Sequence, residues 1–125
     1  MDKFHFYYGC CLFLVFIATG VFMHVEYNHM TGIADGPRMM FRSAHIFILF
    51  TAALNILYGR IKSSHPLFYR IESTALILSP ALFIYSFFIE SESSILHRPA
   101  SKYAIYLILL LIISNVIGHF KRRSS

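Results

Sequence analysis

The sequence predicts an all-α integral membrane protein, a bundle of four transmembrane helices forming one domain over residues 1–125. Three observations predict it. Of the 125 residues, 57% are hydrophobic and 14% charged, against roughly 25% charged in an average soluble domain. The mean hydropathy is +0.61. The apolar residues also gather into four runs, each near the ~20 residues that carry a helix across ~30 Å of hydrocarbon. These runs place helices at about 4–26, 37–59, 66–90 and 99–120. Helices are expected because a spanning segment must satisfy its own backbone hydrogen bonds. The runs are too long and too uniformly apolar for barrel strands.

The first run, from Phe4, carries small residues at Ala18-Thr19-Gly20 with the spacing of a signal-peptide cleavage site. The apolar character continues through Val21-Phe22-Met23, so an uncleaved first helix is expected. Gly9 and Gly20 permit close helix contact or self-association. Cys10 and Cys11 are neighbours, so on a helix they point about 100° apart and do not pair with each other. They read as small apolar residues; palmitoylation or a thiolate ligand is the sharper alternative.

Asp35-Gly36-Pro37 opens the second helix, with a capping residue before a proline in the first turn. Gly59 closes it. Pro66 suits the first turn of the third helix, and Ser79-Pro80 inside that helix predicts a kink. Pro99 opens the fourth helix, and Lys121-Arg122-Arg123 ends it at an interface. Asn55 and Asn115 are expected to hydrogen-bond across helices.

The charges set the topology. Lys3, Arg60, Lys62, Arg70, Lys121, Arg122 and Arg123 fall on one side; Arg38, Arg42, Arg98 and Lys102 fall on the other. Seven against four places both termini in the cytoplasm of a multi-pass protein of the plasma (inner) membrane. Arg70 and Glu72, with Arg60 and Lys62, read as a rim facing anionic lipid. The net charge is +5, but no basic face interleaved with aromatics exists outside the apolar runs, so nucleic acid is not an expected partner. The bilayer is, together with a larger membrane protein or a second copy.

The chemistry-bearing residues concentrate at the outer face: His24, Glu26, His29, Met30, Asp35, Arg38, Arg42 and His45, with Glu90, Glu92 and His97 from the third loop. Two cofactor readings fit. Haem b would take His24 and His45 as axial imidazoles, with Arg38 or Arg42 near its propionates. Copper, iron or zinc would draw on His24, His29, His45, His97, Glu26 and Met30. Neither reading has a diagnostic spacing, and His5, His65 and His119 lie at the opposite face. Arg38, Arg42 and His45 share one face of the second helix at i, i+4 and i+7, with Glu26 and Glu90 as candidate counter-ions.

Glu26, Glu72 and Glu90 all fall near helix ends, which argues against a proton-coupled transporter with a carboxylate at mid-depth. No Gly-x-Ser-x-Gly, Walker A, dinucleotide-binding glycine loop, HExxH or CxxC occurs, so enzymatic chemistry has little support. Ser91, Ser93 and Ser94 beside His97 read as a Ser-rich loop. The leading expectation is a small accessory or assembly protein acting through helix packing with a membrane partner. A haem- or metal-binding redox component is the second, and a small transporter or channel-forming oligomer the third.

Overall fold

The computed structural model describes residues 2–60, 66–92 and 97–123. Lys62, His65, Ser93 and Ser94 lie outside the described residues, as do the side chains of His119, Lys121, Arg122 and Arg123. The described chain is all-α: α1 Lys3–Glu26, α2 Asp35–Arg60, α3 Pro66–Tyr85 and α4 Pro99–Arg123. All four helices are long and apolar enough to cross a membrane. A 3-10 turn, Asn28–Met30, follows α1, and a π-helical turn, Ser86–Glu90, continues α3.

α1 packs chiefly on α2, α4 chiefly on α3, and α2 and α3 meet between them. Two glycines set the first contact. A Cβ on Gly9 would stand 2.7 Å from Ile56 Cγ1 and 2.9 Å from the Ala52 carbonyl oxygen. A Cβ on Gly59 would stand 2.8 Å from the Phe6 amide nitrogen. Backbone therefore lies against backbone, and the Asp2 N–H donates to the Gly59 carbonyl at 2.7 Å. The remaining core divides in two. Phe41, Ala44, Ile48, Phe83, Phe87, Ala104 and Ile108 fill the half away from the chain termini. Tyr58, Ala75, Leu76 and Leu111 fill the half beside them.

The turn after α1 places Asn28, His29 and Met30 at positive φ, 42°, 59° and 65°. Residues other than glycine seldom adopt that region. Met30 is only 2% exposed and belongs to the Phe41–Phe87 cluster, so burial of its side chain opposes the backbone cost. The candidate thioether ligand is thus a core residue.

α3 runs through Pro80 without interruption. Proline has no N–H, so the carbonyl four residues earlier, that of Leu76, loses its helical donor. Asn55 of α2 supplies one instead, its Nδ2 donating to Leu76 O at 3.0 Å. The π turn then brings the Ser91 N–H to the Ser86 carbonyl at 3.0 Å. Glu90 is 6% exposed and caps α4, accepting from the amides of Ala100 at 2.7 Å and Ser101 at 3.3 Å. Glu90→Ala should therefore lower stability by about 1–2 kcal/mol, the cost of a lost N-cap, and Glu90→Gln by less, since one oxygen still accepts. Thermal unfolding of the three proteins in one detergent checks the order.

Candidate functional site

Among the described residues, three groups of hydrogen-bonded polar side chains link the helices. The first lies at the end that carries the chain termini. His5 of α1 is fully buried. Both hydrogens of the Asn55 amide are engaged, by Thr51 O at 2.9 Å and Leu76 O at 3.0 Å. Asn55 Oδ1 therefore faces His5 Nδ1, 2.8 Å away, and the network assigns the proton to Nδ1. In the neutral ring Nε2 then accepts from the Ser73 hydroxyl, also at 2.8 Å. Ser73 lies beside the Tyr69 hydroxyl, which donates to the Asp2 carboxylate; this bond holds the Asp2 carboxyl below its usual range. The His5 ring meets Tyr58 edge-on at 5.0 Å. Tyr58 donates to Glu72 Oε2 at 2.9 Å, and Ser114 of α4 donates to Glu72 Oε1 at 3.3 Å. One polar cluster thus joins all four helices.

The second group is His45 of α2. Thr19 donates its hydroxyl proton to the Phe16 carbonyl at 2.9 Å. Its oxygen must therefore accept from His45 Nδ1–H, 2.8 Å away. The imidazole stacks on Phe16 with ring centroids 4.1 Å apart. Gly20 makes room for it: a Cβ there would stand 3.3 Å from Cε1 and 3.7 Å from Nε2. The tautomer leaves Nε2 as an acceptor.

The third group sits where α3 meets α4. Arg98 donates to Ser43 Oγ at 2.9 Å, to Met40 O at 3.4 Å and to Ser86 Oγ at 3.2 Å. Ser86 and Ser101 hydroxyls meet at 2.5 Å. Arg98 Nε is buried without a partner, and burial pushes the guanidinium pKa down from its usual value, with the nearby Glu90 charge opposing that shift.

These placements separate the outer residues singled out from sequence. His24 and His29 come together, Nδ1 to Nδ1 at 3.1 Å. His45 stands against Thr19 and Gly20, so it lies a helical turn, about 6 Å, deeper than His24. Met30 is in the core, and Glu26 and His97 are exposed. Arg38 pairs with Asp35, while Arg42 is exposed and makes no ion pair among the described residues. Among those residues no three His, Cys, Asp or Glu side chains are grouped to hold a metal ion.

Several readings from sequence change. Glu72 is not part of a lipid-facing rim; it is 4% exposed and turned into the bundle. Glu90 is a helix cap and not the counter-ion of Arg38 or Arg42. Asn115 bonds to its own helix, at Leu111 O, and makes no hydrogen bond to another helix among the described residues. His5, placed at the face opposite the outer histidines, and Arg98, read as a topology marker, are centres of interhelical networks. Asn55 does hydrogen-bond across helices as expected, to His5 of α1 and to the Leu76 carbonyl of α3, the carbonyl that Pro80 leaves without its helical donor.

Comparison with protein-family models, curated proteins and solved structures returns no significant match. The functional reading rests on the geometry alone.

Proposed function

We propose that the chain is a small integral membrane accessory protein that acts through helix packing against a larger membrane protein and performs no catalysis. One observation carries this reading. α1 stands at the edge of the array, with 17% of its apolar window enclosed against 44% for α3. Its outward positions Phe4, Tyr7, Cys11, Leu14, Ala18, Val21 and Val25 are all exposed and alternate three and four residues apart. That spacing keeps one seam facing a partner helix, and the small residues Cys11 and Ala18 let the partner backbone approach. The buried polar groups support the same reading, because hydrogen bonds between helices and to backbone groups engage most of them. The Lys/Arg distribution favours a plasma-membrane orientation with both termini cytoplasmic.

A benzophenone side chain at Leu14, activated in native membranes, tests the proposal. The expected result is an adduct of one defined mass containing another, larger protein. An adduct to lipid alone would overturn the reading, and an adduct between two copies of the chain would replace the larger partner with self-association.

His45 favours a second reading, a haem b- or transition-metal-binding redox component. An imidazole whose Nδ1–H is fixed by a neighbour offers Nε2 as a ligand, the arrangement common in metal-ligating histidines. Arg42 and Arg38 lie one and two turns away on the same face, where haem propionates would meet them. This reading predicts colour or bound metal that His45→Ala removes.

A further inference from the structure

We infer that the groove at the start of α2 is a binding site for the phosphate group of an anionic lipid. The groove holds about 430 Å³ and is lined by Asp35, Arg38, Met39, Arg42, Ser43 and Ile46. Its chemistry is divided by depth. The charged residues stand at the helix start, at the membrane boundary. Ile46, 61% exposed, lies one turn deeper than Arg42 and offers an apolar wall to an acyl chain, while Met39 lies at the level of the two arginines. Two guanidiniums at i and i+4 project to neighbouring points of one helix face and can share one phosphate, which planar, forked donors bind bidentately.

The charge balance at this level points the same way. Asp35 pairs with Arg38. Arg42 makes no ion pair among the described residues. Arg98 lies one hydrogen bond behind the groove wall, through Ser43, and its acceptors are two hydroxyls and a carbonyl. The nearby Glu90 carboxylate is engaged at the amides that open α4. Among the described residues Arg42 and Arg98 therefore form no salt bridge, Arg98 Nε is buried without a partner, and the low dielectric of a membrane boundary strengthens attraction to an anion. A phosphodiester with an acyl chain satisfies both the cations and the apolar wall, and a headgroup without a cation of its own brings no like charge beside the guanidiniums, as choline would. Free phosphate would satisfy only the cations.

The test uses the full chain in a neutral detergent, with native mass spectrometry and three probes: phosphatidylglycerol, phosphatidylcholine and inorganic phosphate. Phosphatidylglycerol is expected to bind as a discrete adduct about tenfold more tightly than phosphatidylcholine, the scale of one charge-assisted contact. Arg42→Gln should remove that preference, and Lys102→Gln, an exposed cation of α4 outside the groove, should leave it. Competition by millimolar inorganic phosphate would support the shared anion chemistry and identify the phosphate alone as sufficient. Equal binding of the two lipids, or a preference lost in Lys102→Gln and kept in Arg42→Gln, would overturn the site. Circular dichroism of each variant confirms that a loss reflects binding and not unfolding.

Discussion

Asn55→Leu is expected to destabilise the bundle by about 2–4 kcal/mol in detergent. The bonds themselves do not set this figure, since single interhelical hydrogen bonds in membranes average about 0.6 kcal/mol. The unmet partners do. Removing the amide leaves the Leu76 carbonyl without a donor, because Pro80 has none, and leaves His5 Nδ1–H without an acceptor. Each such buried group costs about 1–3 kcal/mol. The account makes a sharper demand on the double variant. Pro80→Ala returns an N–H to the Leu76 carbonyl, so in the Asn55→Leu background it should recover about 1 kcal/mol or more. In the parent chain the same change should recover nothing. Equal effects of Pro80→Ala in both backgrounds, read from a double-mutant cycle of thermal or denaturant unfolding, would show that Asn55 does not serve that carbonyl.

The second large effect is steric. Gly9→Val and Gly59→Val should each cost about 3 kcal/mol, the upper end of overpacking penalties. At Gly9 the added atoms would meet the Ile56 amide nitrogen at 2.8 Å and the Ala52 carbonyl at 2.9 Å. At Gly59 they would meet the Phe6 amide at 2.8 Å and the Asp2 carbonyl at 3.0 Å. Backbone cannot rotate away as a side chain can, so α1 must leave α2. Gly36→Val is the control, because nothing lies within 4 Å of its Cβ position. Proteolytic sensitivity of the α1–α2 pair, with unfolding midpoints, measures the separation. Wild-type midpoints in the Gly9 and Gly59 variants would mean that the two helices are not in backbone contact.

The fold was legible because bilayer thickness and the backbone hydrogen-bond requirement leave few solutions for four apolar runs of this length. Caps were legible too: Pro66 and Pro99 open α3 and α4 where expected. α2 begins at Asp35, two residues before the expected start, with Pro37 inside its first turn. The polar interior was less legible. Position along a helix says how deep a residue lies but not which way it points. Glu72 and Arg70 are two residues apart, near the same end of α3, yet Glu72 is buried and Arg70 exposed. Arg98 precedes α4 like any loop charge, and only the π turn, which sets Ser86 and Glu90 beside it, makes it part of the bundle. His24 lies near the end of α1 and His45 well inside α2, and the left-handed turn after α1 joins His24 to His29 while Thr19 holds His45. Sequence spacing carries no trace of those φ angles.

We propose that the polar side chains of the bundle serve to hold helices together rather than to hold a cofactor at His45. This proposal is tested most directly by an absorption spectrum with elemental analysis on protein expressed with haem precursor and metals supplied, then purified in mild detergent. The account predicts no Soret band and no stoichiometric copper, iron or zinc in a protein that remains helical. A Soret band, or one equivalent of metal, that disappears in His45→Ala while the fold persists would contradict it and make the redox reading the leading one.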